Sequence, residues 1–325
     1  MTTLTRPLRP TGPPYDDPLA PGGPSGRSDP HAGLLVHLAD MEVRRGGRPV
    51  VWGVDLRVGA GEVVGLVGRN GAGKTTVLRA LLGLVPLSRG TVWHRDPCSI
   101  GVAFDTVSFP ASWSAREGLR CLGDYLGLGP GTSSHVEAVL DRVGLARATR
   151  DRRLSCLSHG MRQMVSLAAA LVGSPRLVVL DEPHNGLDPL AVHALGRLLR
   201  DLADEGRGIL LSSHLVDEMD RVCDRVALLH DGRIVLDQRV SELTTCQGWY
   251  VEAGDSQALL DLVGALGHTA ERRGDGVLVD LTTPPDVAAL AASLVTSGAP
   301  VSVLRPEQRT LVDVVHTVLG QGAKP

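Results

Sequence analysis

The sequence has no apolar run approaching the ~20 residues that a bilayer-spanning helix needs. Val77 to Leu87 comes nearest, and it is short and carries Arg79. Any membrane attachment is therefore expected to come through a partner. Aromatic side chains are scarce, at 3% of residues. The cysteines, Cys98, Cys121, Cys156, Cys223 and Cys246, show no C-x-x-C spacing. That argues against a thiolate metal site and suits reduced thiols in a cytosolic setting. Basic residues reach no further than clusters such as Arg150-Asp151-Arg152-Arg153, and the net charge is −3 with the signs interspersed. Nothing there supports nucleic-acid binding. A secretory signal is also missing. Residues 1–33 are instead rich in Pro, Gly and Ser, a composition that cannot bury a core and is expected to be disordered.

What is present begins at Val63-Val64-Gly65-Leu66-Val67, a short run rich in β-branched residues that reads as a strand buried on both faces. It runs into Gly68-Arg69-Asn70-Gly71-Ala72-Gly73-Lys74-Thr75, which fits G-x-x-x-x-G-K-[ST], and then into a helix pattern from Thr76 to Leu82. Strand, loop and helix together are the context that a phosphate loop requires. Side chains at Gly68, Gly71 and Gly73 would obstruct the close approach of backbone N–H groups to phosphate oxygens. The helix N-terminus adds its positive end. As in other P-loop proteins, Lys74 is expected on the β- and γ-phosphates and the Thr75 hydroxyl on Mg²⁺. Asn70 and Thr76 complete the expected nucleotide-binding set.

Arg176-Leu177-Val178-Val179-Leu180 is a second buried strand. It delivers Asp181 and Glu182 at its C-terminal end, where open α/β sheets place their ligand sites. Ile209 to Ser213 is a third such strand, and it delivers His214. Leu157-Ser158-His159-Gly160-Met161-Arg162-Gln163 stands upstream of the Asp-Glu pair. Ser158 and the Gly160 N–H at a helix start make a second anion site.

With this Ser-x-Gly signature ahead of Leu180-Asp181-Glu182-Pro183, the chain from about Leu34 to Leu243 resembles the ATP-binding subunit of an ABC transporter of the ABC-2 or multidrug-exporter type. The resemblance implies an α/β P-loop NTPase domain over 34–243, with a mixed sheet and a helical subdomain. It implies that Asp181 holds Mg²⁺, that Glu182 polarises the attacking water, and that His214 contacts the γ-phosphate. Asn185-Gly186-Leu187-Asp188-Pro189 looks like the D-loop, with Asp188 facing the opposite protomer. In the family, Ser158 and Gly160 bind the ATP held by the partner subunit. The working form is then expected to be a head-to-tail dimer, built from a second ATPase subunit, with two ATP molecules between the protomers.

The chain departs from the family's pattern at three places. Arg45 stands where many relatives carry an aromatic residue against adenine, and an arginine plane can also stack on a base, with Trp52 a lesser substitute. A solvated Arg45 with loose adenine recognition is an equal alternative. Asp105 replaces the Q-loop glutamine after Ile100 to Phe104 and is expected to ligate Mg²⁺ or orient water, as an acceptor only. His159 replaces the first glycine of the usual signature, a substitution the motif tolerates. Trp113 lies in the stretch that in the family faces the permease.

Beyond Val240 the pattern changes. Strands at Trp249 to Ala253, Gly276 to Leu281 and Val301 to Leu304 alternate with helices at Ser256 to Leu266, Pro285 to Ser297 and Thr310 to Leu319. Residues 244–325 are thus expected to form a small α+β accessory domain for docking or dimer stabilisation. The expectation for the whole chain is an ATPase peripheral to the cytoplasmic face of the cell membrane. It would drive an ABC-2-like permease that exports a drug, antibiotic or lipid-like compound. Two other readings stay open: an ABC-type ATPase working on ribosomes or DNA, and a nucleotide switch of low turnover. Against the first stand the single ATPase unit and the lack of coiled-coil or zinc insertions; against the second stand intact Lys74, Asp181, Glu182 and His214.

Overall fold

The computed structural model describes residues 31–104, 109–217, 219–244, 246–281, 284–296 and 301–321. The chain opens with a long hairpin, β1 (Leu34–Arg45) and β2 (Arg48–Gly59). Its tip, Gly46-Gly47, has positive φ at both residues (56° and 77°), the turn geometry that matches the twist of paired strands. Next come β3 (Val63–Val67), α1 (Lys74–Leu81), β4 (Arg89–His94) and β5 (Ile100–Phe104). A helical segment follows, with α2 (Ala115–Tyr125), α3 (Thr132–Arg142) and α4 (His159–Leu171). The chain then returns to strands through β6 (Leu177–Asp181), α5 (Pro189–Asp204), β7 (Gly208–Ser213), the short α6 (Met219–Val222), β8 (Arg225–His230), β9 (Arg233–Arg239) and α7 (Val240–Leu243).

The central sheet runs β5-β6-β7-β3-β8-β9. All pairs are parallel except the β8–β9 hairpin. A second, antiparallel sheet has the order β2-β1-β4. Because side chains alternate along a strand, β3 feeds two cores at once. Val63 and Val67 join the layer beneath α4 and α5, whereas Val64 and Leu66 join the layer shared with α1 and the antiparallel sheet. Parallel central strands covered on both faces read as unbroken apolar runs, which is why β3, β6 and β7 are visible in the sequence.

The helical segment is held by charge as well as by packing. Ser114 and Glu117 form a reciprocal capping box at the start of α2. Arg150 is only 2% exposed, and its guanidinium donates to the Leu145 carbonyl (2.9 Å), Glu137 (2.9 Å) and Asp141 (2.6 Å). Arg116 donates to Glu137 from the other side, at 2.5 Å. Removing Arg150 would leave a void and an unpaired carbonyl. Arg150→Ala is therefore expected to lower stability by roughly 3 kcal/mol in a denaturant titration. Hydrogen bonds from Arg116, against the opposing effect of burial and with help from Arg150, bring the Glu137 carboxyl from an ordinary 4.5 down to about 2. A carboxyl held below its unfolded value stabilises the fold above that value. The Glu137 contribution is thus present above about pH 4.5 and lost as pH falls through about 2. Glu137→Gln should flatten this acid limb.

After α7 come β10 (Cys246–Ala253), α8 (Ser256–Ala265), β11 (Ala270–Arg273), β12 (Gly276–Val279), α9 (Pro284–Thr296), β13 (Val301–Gln308) and α10 (Leu311–Gln321). The four strands form an antiparallel sheet ordered β11-β12-β10-β13. Val251, Val263, Val277, Val279, Leu290 and Leu294 give it a core of its own. The closing helix α10 goes elsewhere: Leu311, Val314 and Val315 are buried in the main core, and the Leu311 N–H lies 3.5 Å from Asp220. Among the described residues no helix is long and apolar enough to cross a membrane.

Candidate active site

The strand order places the chemistry. β7 lies between β3 and β6, and all three run parallel, so their C-terminal ends share one sheet edge. The register is tight, with Val67 opposite Ser213 and Asp181 opposite Ser212. The glycine loop, the Asp-Glu pair and His214 therefore converge without any long-range accident.

The loop after β3 needs its glycines for identifiable reasons. A Cβ at Gly68 would run into the Leu229 carbonyl oxygen, and one at Gly73 would lie 2.6 Å from a Val51 methyl. Gly73 also sits at φ 107°, and Gly71 at φ 87°. Asn70 and Gly71 are exposed on the loop, while Thr76 is buried in the first turn of α1. Lys74 is 6% exposed; its Nζ donates to the Gly68 carbonyl at 2.6 Å and lies 3.1 Å from Glu182 Oε1.

A chain of short hydrogen bonds links α1 to the ends of β6 and β7. Thr75 Oγ1 donates to Asp181 Oδ2 at 2.7 Å, and Ser212 Oγ donates to Asp181 Oδ1 at 2.5 Å. The Glu182 N–H in turn donates to Ser212 Oγ at 2.9 Å. This last bond holds Glu182 at φ 48°, a left-handed conformation that costs a residue with a side chain on the order of 1 kcal/mol or more.

The Glu182 carboxylate is gripped from three directions. Besides Lys74 on Oε1, His214 Nδ1 is 2.7 Å from Oε2 and His184 Nε2 is 3.3 Å from it. Burial alone would push this carboxyl up, but the hydrogen bonds from His184, His214 and Lys74 prevail and hold it at about 2. Glu182 is thus ionised across the working pH range. Glu182, His184 and His214 also bring one ligand atom each within 4.8 Å of one another. The Lys74 ammonium on the same carboxylate opposes a cation there. The oxygen pair of Thr75 and Asp181 is of the donor type that suits Mg²⁺.

Ser158 is the N-cap of α4 and accepts from the Met161 N–H at 3.2 Å. A Cβ at Gly160 would press on the Gly186 carbonyl at 3.1 Å, and the His159 ring covers Gly186. The signature therefore packs on the D-loop of its own chain. Asp188 caps α5, accepting from the Ala191 N–H at 2.8 Å. Arg45 is exposed at the end of β1 beside the Gly46-Gly47 tip, and Trp52 is stacked by Arg233, with 5.1 Å from guanidinium to ring centroid. Trp113 is half-buried before α2. Asp105 lies outside the described residues, one position beyond Phe104, which is paired with Asp181.

A family model described as ABC transporter matches residues 51–185. A Nod factor export ATP-binding protein I of Rhizobium meliloti is 33% identical over 285 residues, covering 82% of this chain and 84% of that protein. The chain belongs to the ABC transporter ATP-binding subunits. A protein of the same description from Ralstonia nicotianae is 32% identical over 296 residues, covering 86% of this chain and 91% of its own. Among solved structures, an ATP-binding subunit of an ABC transporter matches with a TM-score of 0.59 at 28% identity, over 64% of this chain and 91% of that one. This subunit binds and hydrolyses ATP, and its fold is that of the ABC-type P-loop NTPase.

Sequence reasoning did not single out three of its site residues, Ser212, Ser213 and His184. The two serines read as the polar end of an apolar strand. His184 follows Glu182-Pro183 directly, and a histidine two residues past the hydrolytic pair was the available signal. Its ring is buried, 5% exposed, with Nε2 3.1 Å from Ser213 Oγ.

Proposed function

We propose that this ATP-binding subunit works as a head-to-tail dimer that closes on two ATP molecules and drives a separate, ABC-2-like membrane permease. The observation that carries this is the convergence of Lys74, Thr75, Asp181, Glu182 and His214 at one sheet edge. Gly68, Asn70, Gly71, Gly73, Lys74, Thr75 and Thr76 bind the phosphates, and Arg45 stacks on the adenine. Thr75 and Asp181 hold Mg²⁺, with Asp105 as a further acceptor; the ion, when bound, neutralises charge developing on the phosphates. Lys74 and His214 both rest on Glu182. Phosphate is the stronger partner for an ammonium and an imidazole N–H. Lys74 and His214 therefore turn to ATP, and Glu182 is released to accept the proton of the attacking water.

Ser158 and Gly160 complete the site of the opposite protomer, with Asp188 at the contact between subunits. Within residues 244–325, the sheet of β10 to β13 with α8 and α9 forms an accessory unit for docking or dimer stabilisation, anchored by α10 in the main core, and Trp113 meets the permease. The subunit sits at the cytoplasmic face of the cell membrane. Export is the direction favoured by the relatives, whose names describe export of Nod factor. A drug, antibiotic or lipid-like compound is the class of cargo. Glu182→Gln chain captured from native membranes with ATP should bring down a multi-spanning membrane protein, and should not do so without ATP. Recovery of a dimer alone, or of ribosomes, contradicts the transport reading.

A further inference from the structure

Glu182 has three side-chain partners, and they differ in what ATP does to them. Lys74 and His214 are the two that leave for phosphate in the proposed cycle. His214 is more than a third exposed as a residue and stands on the loop after β7. His184 is buried behind the carboxylate and is tied to β7 through Ser213. Its backbone is equally fixed: the turn is closed by the Asn185 N–H on the Glu182 carbonyl (3.1 Å) and the Leu187 N–H on the His184 carbonyl (3.1 Å).

Ser213 Oγ accepts from the Leu215 N–H at 2.8 Å and lies 3.1 Å from both the Leu215 carbonyl and His184 Nε2. The ionised Glu182 carboxylate can only accept, so a hydrogen bond across the 3.3 Å between its Oε2 and His184 Nε2 requires the ring proton on Nε2.

We propose that His184 is a positioning residue for hydrolysis: it holds Glu182 by Oε2 after Lys74 and His214 have moved to ATP, leaving Oε1 to take the proton of the attacking water. This rests on the reading of Glu182 as the base. Without His184 the released carboxylate would keep on Oε2 only the His214 backbone N–H, 3.3 Å away, and would sample orientations away from the water.

The test compares His184→Met, which keeps bulk but has no donor, with His184→Gln, which restores an N–H. Both side chains have room, because His184 borders a cavity of about 530 Å³ together with Leu187, Leu211 and Met219. In the full chain, His184→Met is expected to lower kcat roughly 10–100-fold with KM for ATP within about twofold, and His184→Gln to recover most of the loss. An unchanged kcat in His184→Met overturns the proposal. So does a His184→Gln variant as slow as His184→Met, or a loss that appears in KM together with a lowered Tm. Glu182→Gln in the same assay separates the two readings. If it turns over freely, the base assignment fails; if it is inactive while His184→Met is normal, only the role of His184 fails. A measurement on the unmodified chain stands whether or not the variants fold. In ¹⁵N-histidine-labelled protein, the His184 Nε2–H resonance should be present without nucleotide and persist with a non-hydrolysable ATP analogue. Its absence in either state refutes the proposal.

Discussion

Glu182→Gln abolishes turnover while leaving ATP bound: hydrolysis is expected to fall roughly 10²–10⁴-fold, the usual contribution of a positioned general base. The structure explains why binding survives. The carboxylate is an anion lying 3.1 Å from the lysine that ATP must recruit. The amide variant removes that competing ion pair, so Lys74 keeps the uncharged Gly68 and Arg69 carbonyls and is easier to draw onto phosphate. Paired measurements of ATP affinity and steady-state rate check this. Affinity equal to or tighter than that of the parent, with the rate lost, is the expected pattern. A rate within about tenfold of the parent would contradict the assignment, since a base contributes more than that.

Lys74→Ala gives the opposite pattern. The ammonium is buried at the N-terminus of α1 beside loop amides, so its charge acts on phosphate with little solvent screening. Truncation of such a partner costs about 3 kcal/mol, which is ~100-fold or more in ATP affinity. The same change removes one of the three side-chain donors on Glu182, whose carboxyl should move up from about 2. An equilibrium binding titration reads the first effect. Retention of the parent affinity would show that the backbone cradle alone holds the phosphates.

Much of this site was legible in the sequence because it lies on buried parallel strands. Val63 to Val67, Leu177 to Leu180 and Ile209 to Ser213 announce themselves as apolar runs, and each leads into residues that do chemistry. The signature helix starts at Ser158 for an equally local reason, a serine cap. The antiparallel hairpin of β1 and β2 was not legible, since its register shifts at Asp40 and at the tip break a simple alternation. Nor was the Arg150 cluster, because a buried arginine looks like any other in a charged stretch until Glu137 and Asp141 are folded beside it. His184 was missed for a related reason. Its burial depends on Glu182 at φ 48° and on Ser213 of another strand, neither of which leaves a mark on a single sequence. Beyond Val240 the expected strands and helices are present, but β11 (Ala270–Arg273), between α8 and β12, was not among them, and no periodicity says that α10 leaves the small sheet for the main core.

The central claim is that each ATP lies between the loop of one protomer and the signature of the other. A complementation assay tests it most directly, by mixing Lys74→Ala chains with Ser158→Arg chains. Each variant alone is expected to be inactive. In a mixed dimer, however, one of the two sites pairs an intact Lys74 with an intact Ser158, because the two changes fall together in the other site. Recovery of ATPase activity on mixing is the predicted result. A mixture no more active than its components would contradict the shared site and, with it, the dimer as the working form.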